Sequence, residues 1–261
     1  MPCRYDHSDG VAVLTLDRPD VLNAFDDDLG HETLEAVRRA SDDDAVRCIV
    51  ITGAGRAFSS GEDLGALQAD YASGQAPPLG NTLIDRYNPL IRAVRSAPKP
   101  VLAAINGVAA GAGASLALAC DFRIATEKAK LVLAFVKVGL VPDSGAVWFL
   151  TKIVGSAMAW RLSATGDPLS TEQAYALGLL DKVAPADHFE EMWRDWAAEL
   201  AAGPTRTYAL TKRLVNAAAH VSLDEQLDLE VDAQSAAGAT EDHLEGVQAF
   251  LGKRRPQFKG K

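Results

Sequence analysis

Long apolar segments and cysteines are both scarce in this 261-residue sequence. A membrane-crossing helix needs roughly eighteen or more consecutive apolar residues, and the sequence contains no such run. Cys3, Cys48 and Cys120 lie far apart and match no Cys-x-x-Cys or zinc-ligand spacing. The segment MPCRYDHSDG lacks the basic-then-apolar order of a signal peptide. We therefore expect a cytoplasmic protein with no disulfide framework, no metal site and no membrane partner.

Basic residues are too few to favour a nucleic-acid partner. The sequence has 26 lysines and arginines against 35 aspartates and glutamates, which gives a formal net charge of −9. A nucleic-acid backbone is bound by a basic surface that releases counterions, so we expect a small ligand instead. The basic tail KRRPQFKGK at 253–261 is either a solvated end or a local anion site.

Hydrophobic periodicity divides the chain into a mixed α/β part and a helical part. VAVLTL (11–16) and CIVIT (48–52) are predicted strands, with apolar residues at helical spacing between them. PVLAAIN (100–106) and DFRIAT (121–126) predict two more strands. From about residue 143 onward, strand signals nearly vanish and helix-capping patterns take over. The apolar content of 48% is ample for one buried core with a helical extension.

Two glycine-rich stretches follow predicted strands. GAGRAFSSGEDL (53–64) follows CIVIT, and NGVAAGAGASLALAC (106–120) follows PVLAAI. Glycine lets a ligand approach the backbone closely, and N–H groups in the first turn of a helix carry positive partial charge. One N–H from each stretch could converge on one oxygen and form an oxyanion hole. The alternatives are an ordinary glycine turn and tight helix–sheet packing, and neither stretch has a nucleotide-binding fingerprint.

Four sequence blocks resemble the signature blocks of the enoyl-CoA hydratase/isomerase, or crotonase, superfamily. They are LDRPDVLNAF (16–25), GRAFSSGEDL (55–64), AAINGVAAGAGASLALACDFRIA (103–125) and FVKVGLVPDSGA (135–146). The motifs are most similar to those of the ring-epoxide isomerase branch of phenylacetate degradation and, more loosely, of Δ3,Δ2-enoyl-CoA isomerases. The resemblance implies an α/β fold, with a crotonase-like ββα spiral core at residues 1–200. It also implies a C-terminal helical region, 201–261, that assembles the chain into a homotrimer or homohexamer.

The resemblance also implies roles for individual residues. The backbone N–H groups of Glu62 and Ala112 would hold the thioester oxygen of an acyl-CoA substrate. Coenzyme A would be part of that substrate, so no separate cofactor is implied. Asn23 and Ala24 would lie along its adenine, and Lys253 near its 3′-phosphate. Together, the implied substrate-binding residues are Asn23, Ala24, Ser60, Gly61, Asp63, Leu64, Gly111, Ser115, Phe135 and Lys253.

The two glutamates of typical hydratases in this family are missing. Their positions hold Ser115 and Phe135, and neither an unpartnered serine nor a phenylalanine is a useful general base. Asp143 is the acid that remains, and the resemblance makes it a proton shuttle between two carbons of one substrate. Glu62 is a second candidate acid. Asp143 could instead cap the helix that follows Pro-Asp-Ser-Gly.

Several functions stay open on the sequence. Isomerisation of an unsaturated or ring-epoxide acyl-CoA is favoured, because one carboxylate suffices and no water is consumed. Hydration requires that water be held by other residues. Hydrolysis or dehalogenation through an aspartate nucleophile normally needs a histidine, and all 5 histidines lie outside the four blocks. A non-catalytic acyl-CoA-binding protein is the last alternative. Residues 65–88 are predicted to form a mobile loop over the acyl pocket.

Overall fold

The fold is built on two sheets. The computed structural model describes residues 1–74 and 77–261, apart from the side chains of residues 69 and 70. In chain order the strands are β1 (Cys3–Ser8), β2 (Val11–Leu16), β3 (Cys48–Gly53), β4 (Ala57–Ser59), β5 (Val101–Ile105), β6 (Val108–Ala110), β7 (Phe122–Thr126), β8 (Lys130–Val132), β9 (Leu169–Ser170) and β10 (Lys182–Ala184). The larger sheet has the order β1-β2-β3-β5-β7-β10, and the smaller one has the order β4-β6-β8-β9.

Most neighbouring strands run parallel. In the larger sheet only β1 and β2 are antiparallel, and in the smaller sheet only β8 and β9 are. The turn between β1 and β2 has positive φ at Asp9 (50°) and Gly10 (78°), as a two-residue hairpin turn of type I′ requires. Strands β3 and β5 are buried on both faces, which explains their continuous runs of valine, isoleucine and leucine.

Helices cover the sheets and form the C-terminal region. In chain order they are α1 (Asp27–Asp42), α2 (Gln68–Ala72), α3 (Leu79–Thr82), α4 (Asn88–Ser96), α5 (Ala112–Ala119), α6 (Ala146–Thr165), α7 (Thr171–Ala176), α8 (Phe189–Ala202), α9 (Thr205–Ala217), α10 (Leu223–Gly238) and α11 (Glu241–Leu251). A π-helical turn, Leu83–Tyr87, joins α3 to α4, and 3-10 turns span Pro19–Val21 and Ala134–Val138.

Short polar side chains fix where several helices begin. The Asp26 carboxylate accepts the Leu29 N–H at 2.8 Å and caps α1. Ser170 and Ser222 each form a capping box, at the starts of α7 and α10. The Thr240 hydroxyl caps α11 by accepting the His243 N–H at 3.0 Å. These caps explain why the C-terminal part could be predicted as helical.

Helix α5 lies in the core beside the smaller sheet. All eight of its residues are buried, and their side chains are small or aliphatic. A Cβ on Gly113 would lie 2.6 Å from the Ser59 carbonyl oxygen, so glycine lets α5 pack directly on β4. This contact brings the first turn of α5 next to the segment that follows β4.

Two predictions about elements need correction. Strand β10 was missed, because three residues are too short for a period-two pattern and their parallel pairing with β7 decides the structure. The predicted loop at 65–88 contains α2, α3 and the π-helical turn, and residues 75–76 within it lie outside the described residues. The predicted division at residue 200 falls in the last turn of α8 and stays a prediction.

The three cysteines lie in the hydrophobic core. Cys3, Cys48 and Cys120 are buried free thiols. Burial raises the pKa of Cys3 to about 11, and that of Cys48 and Cys120 to about 12. Within residues 1–74 and 77–261, no helix has the length and apolar character needed to cross a membrane.

Candidate active site

A cavity of about 220 Å³ opens where the two glycine-rich stretches meet. Most of its wall is apolar, and its charged side chains are Glu62 and Asp143. The lining residues are Ser60, Glu62, Leu64, Tyr71, Leu79, Thr82, Leu83, Tyr87, Gly111, Ala112, Ala134, Phe135, Val138, Leu140, Val141 and Asp143. An apolar cavity with a few polar groups is typical of a small-molecule site.

The Glu62 N–H is left available by a one-residue parallel bridge with Phe25. The Phe25 N–H donates to the Gly61 carbonyl at 2.7 Å, and the Phe25 carbonyl accepts the Asp63 N–H at 2.9 Å. Because Phe25 pairs with Gly61 and Asp63, the N–H of Glu62 between them points away from Phe25. Within the described part of the chain, this N–H donates to no other protein group.

The Ala112 N–H lies in the first turn of α5, where N–H groups have no partner inside the helix. Gly61 packs against this turn: a Cβ on Gly61 would lie 2.9 Å from the Ala110 carbonyl oxygen and 3.2 Å from the Ala112 nitrogen. Both Gly61 (φ +94°) and Gly111 (φ +51°) have backbone conformations that favour glycine. Glu62 and Ala112 therefore lie close together in the wall of the cavity, an arrangement that an oxyanion hole requires.

Asp143 lies between the 3-10 turn at Ala134–Val138 and α6. Its carboxylate accepts the Ser144 hydroxyl at 2.8 Å. Burial raises the pKa of Asp143 above its ordinary value, and the Ser144 hydrogen bond offsets part of that rise. The nearby charge of Glu62 raises this pKa further. Asp143 therefore has the position and the raised pKa that suit a general base.

The interpretation of Asp143 as a helix cap is wrong. Helix α6 begins at Ala146, its N-cap is Gly145 in the left-handed region, and no side chain caps it. Asp143 supports the helix only through its backbone, because its carbonyl accepts the Ala146 N–H at 2.9 Å. The side chain is free for another role.

The Glu62 carboxylate is held by two side chains at the end of the π-helical turn. Arg86 approaches its two oxygens at 2.6 and 2.5 Å, and the Tyr87 hydroxyl donates to one of them at 2.5 Å. The Arg86 side chain is only 4% exposed, so this ion pair is largely shielded from water. Neither residue was predicted from the sequence, because the signal would have been a spatial pairing across 24 and 25 residues.

Phe135 and Ser115, at the positions of the two glutamates of typical hydratases, lie in different places relative to the cavity. Phe135 is in the cavity wall, and its contact with a substrate stays a prediction. The side chain of Ser115 lies behind the wall and is fully buried. Its hydroxyl donates to the carbonyl oxygens of Gly111 (3.2 Å) and Asp143 (3.1 Å). Ser115 therefore ties α5 to the Asp143 segment, and its role as a substrate contact stays a prediction.

Asn23 and Asp63 also act within the protein. Asn23 is fully buried, and its side-chain amide donates to the Ala54 and Ala57 carbonyls at 2.9 and 2.8 Å. The Asp63 carboxylate pairs with Arg18 at 3.0 Å. These two side chains are therefore engaged within the protein, and the contacts of Asn23, Ala24 and Asp63 with a substrate stay predictions. Ser60, Leu64 and Gly111 do line the cavity.

The basic tail is placed away from this cavity. Lys259 and Lys261 line a different cavity beside Arg47, which precedes the first residue of β3. The glycine-rich stretch at 53–64 begins at the opposite end of that strand. Lys253 is exposed after α11, and its contact with a 3′-phosphate stays a prediction. In the described ranges, no three His, Cys, Asp or Glu side chains are grouped as metal ligands.

Residues 6–261 match the sequence profile of the family described as enoyl-CoA hydratase/isomerase. The chain belongs to this family. The fold prediction is confirmed by an enoyl-CoA hydratase structure from Bacillus anthracis, which superposes with a TM-score of 0.92 at 31% identity over all of both chains. The prediction of the crotonase superfamily from the four sequence blocks is thereby confirmed.

Relatives within the enoyl-CoA hydratase/isomerase family have different reaction names. The 1,2-epoxyphenylacetyl-CoA isomerase of Escherichia coli K12 is 46% identical, over 97% of this chain and 96% of that protein. A probable enoyl-CoA hydratase of Rhodobacter capsulatus is 44% identical, over 99% of this chain and 98% of that protein. Family membership therefore does not choose between isomerisation and hydration, and the choice depends on the residues of the site.

Proposed function

We propose that this protein isomerises an unsaturated or ring-epoxide acyl-CoA thioester. Asp143 removes a proton next to the thioester carbonyl, and the electron pair moves onto the thioester oxygen. The N–H groups of Glu62 and Ala112 stabilise this enolate more than the ground state. Asp143 then returns the proton to another carbon of the same substrate, so nothing is added or lost.

The observation that carries this proposal is the position of Asp143 in the same cavity as the two N–H donors. A proton shuttle needs one carboxylate within reach of the substrate, and the cavity supplies it. The raised pKa of Asp143 suits this role, because a general base works best when its pKa is near the working pH. The 46% identity to an epoxyphenylacetyl-CoA isomerase is in line with it.

Hydration is the less favoured reaction, even though a second carboxylate lies in the cavity. Activation of a water molecule by two acids needs both carboxylates free to bind it. The oxygens of Glu62 are occupied by Arg86 and Tyr87, and the positions of the usual glutamates hold Ser115 and Phe135. Only Asp143 is left to handle a proton.

The decisive experiment is turnover of a panel of 3-enoyl, 2-enoyl and aryl CoA thioesters, followed by mass spectrometry. Isomerisation leaves the mass unchanged, hydration adds the mass of water, and hydrolysis releases free coenzyme A. We expect an isomer with a changed ultraviolet spectrum. Asp143→Asn should lower kcat by about 10²- to 10⁴-fold, as loss of a general base typically does.

Asp195→Asn on the exposed side of α8 is the matched control, and it should keep full activity. A product heavier by one water in the wild type would replace isomerisation with hydration. Full activity of Asp143→Asn would remove the proton shuttle from the mechanism.

We also propose that the protein acts as a trimer or hexamer, with no cofactor beyond the coenzyme A of its substrate. Large apolar side chains are exposed on α10 and α11, including Phe250 at 82% and Leu251 at 74%. Exposed apolar clusters of this kind are typical of subunit interfaces. We place the protein in the cytoplasm, where acyl-CoA substrates are available.

A further inference from the structure

The side chain of Glu62 is held in the cavity wall within a cluster of three hydrogen-bonded side chains. The cluster consists of the Glu62 carboxylate, the Arg86 guanidinium and the Tyr87 hydroxyl. Arg86 also contacts Asp27 at 3.1 Å and lies over the Tyr87 ring, with 4.7 Å between guanidinium carbon and ring centroid. Burying the Arg86 guanidinium costs desolvation free energy, and its contacts with these partners offset that cost.

Helix α1 makes room for Arg86. A Cβ on Gly30 would lie 2.4 Å from both the Cγ and the Cδ of Arg86, so only glycine leaves space for the arginine stem. Glycine weakens a helix relative to alanine, and Gly30 lies in the first turns of α1. The helix therefore gives up intrinsic stability to seat Arg86 against Glu62.

Glu62 is thus fixed from two directions. The backbone of Glu62 is aligned by the hydrogen bonds that Phe25 makes with Gly61 and Asp63. Its side chain is held by Arg86 and Tyr87, and the Tyr87 ring packs edge-on against Phe25, with 5.8 Å between centroids. The backbone contacts and the side-chain contacts therefore both fix Glu62, whose N–H is the proposed donor.

We propose that Arg86 and Tyr87 are positioning residues, which act through the Glu62 carboxylate. They align the Glu62 N–H as an oxyanion donor and hold a fixed negative charge beside Asp143. This inference rests on the proposed isomerisation. It assigns the Glu62 side chain an electrostatic role instead of a role in proton transfer.

The two charges of the cluster act on Asp143 in opposite directions. Burial is the largest cause of the raised pKa of Asp143, and the Glu62 charge adds to it. The Arg86 charge lowers the pKa of Asp143. The base must be ionised to act, so the acidic limb of the pH–kcat profile follows this pKa.

The test is the pH profile of kcat for isomerisation by Glu62→Gln and Arg86→Gln. Glu62→Gln keeps an oxygen that can accept from Tyr87 but removes the negative charge, so its acidic limb should move to lower pH. Arg86→Gln removes the positive charge, so its limb should move to higher pH. Arg86→Gln should also lower kcat by about 10- to 100-fold with little change in KM, because it releases the oxyanion donor.

Two further variants separate positioning from general damage. Glu245→Gln breaks another bidentate glutamate–arginine pair, with Arg254 on the surface, and should leave the profile unchanged. The three atoms nearest to a Cβ on Gly30 all belong to Arg86, so Gly30→Ala displaces Arg86. It should lower kcat in the wild type and have no further effect in Arg86→Gln.

The proposal would be overturned if the acidic limbs of the pH–kcat profiles of Glu62→Gln and Arg86→Gln stayed in place or moved in the same direction. A ¹³C NMR titration of the Asp143 carboxyl reads the same coupling without turnover. If the wild type isomerises nothing, the proposed function fails, and opposite shifts in this titration would still support the cluster. If the wild type isomerises and the titration does not respond, only the cluster proposal fails.

Discussion

At the scale of single residues, Asp143 combines a chemical role with a cost in stability. Burial raises its pKa, so the folded state holds this proton to a higher pH than the unfolded chain does. As pH rises through the interval between the two pKa values, the folded state loses stability relative to the unfolded state. Above the folded pKa the full cost of the buried charge is present.

The variant Asp143→Asn should therefore be more stable than the wild type at neutral pH. Asparagine has the same size and no proton to lose, so it avoids the buried charge. The difference in free energy of unfolding should shrink as the pH falls through the interval between the raised folded pKa and the ordinary aspartate value of about 3.9, and it should be smallest below that value. Denaturant titrations of both proteins at several pH values would measure it. A difference independent of pH, or a less stable variant, would contradict this prediction.

Single residues also mark the limit of sequence reasoning about the site. Asp143, Glu62 and Ala112 could be predicted because each lies within a short motif. Arg86 and Tyr87 could not, because the residues they act on come from distant segments. The cap interpretation of Asp143 was wrong because Gly145 takes a left-handed conformation, which local sequence preferences did not reveal.

At the scale of elements, the close packing of the 61–63 segment on α5 sets the geometry of the site. Gly61→Ala would force a Cβ into the Ala110 carbonyl oxygen and the Ala112 nitrogen, so the segments must separate. We expect kcat to fall by about 100-fold or more, since loss of one oxyanion donor has this effect in other enzymes.

Gly155→Ala is the matched control for this prediction. Its φ of +75° carries a similar conformational penalty, but a Cβ there would meet no atom within 4 Å. It should lower the melting temperature and leave kcat per folded molecule unchanged. Steady-state kinetics with thermal unfolding would separate the two effects. Equal losses of kcat in both variants would point to general strain.

Elements were predictable where the sequence pattern was long enough. The strands β2, β3, β5 and β7 follow from runs of apolar residues, and the helices α7, α10 and α11 follow from their caps. The strands of two or three residues, such as β9 and β10, exist through their pairing with longer strands. The helices within 65–88 were missed because their composition of glycine, proline and polar residues is typical of a loop.

At the scale of the whole molecule, the C-terminal tail is clamped onto the fold while a helical face stays exposed. The buried Asp242 carboxylate accepts the N–H groups of Lys259 (2.6 Å) and Gly260 (2.8 Å). The Asp242 N–H donates in turn to the Lys261 carbonyl at 3.0 Å. The exposed apolar residues of α10 and α11 are thus held on an ordered surface.

Light scattering should give a mass three or six times the 27.7 kDa of one chain. Phe250→Glu places a charge in the apolar face and should shift the equilibrium toward smaller species, because an unpaired charge would be buried in the interface. Gln248→Glu adds the same charge to the same helix without removing apolar area, and it should have a weaker effect. A stable monomer in the wild type would contradict the oligomer.

The buried thiols described with the fold make the chain suitable for chemical labelling. The thiolate is the reactive form of cysteine, and burial holds the pKa of all three native cysteines at about 11 or 12. Maleimide reagents at neutral pH should therefore leave the native protein unmodified. A cysteine introduced at one exposed position would be the single reactive site. A fluorophore or spin label could then report on substrate binding in the otherwise unaltered protein.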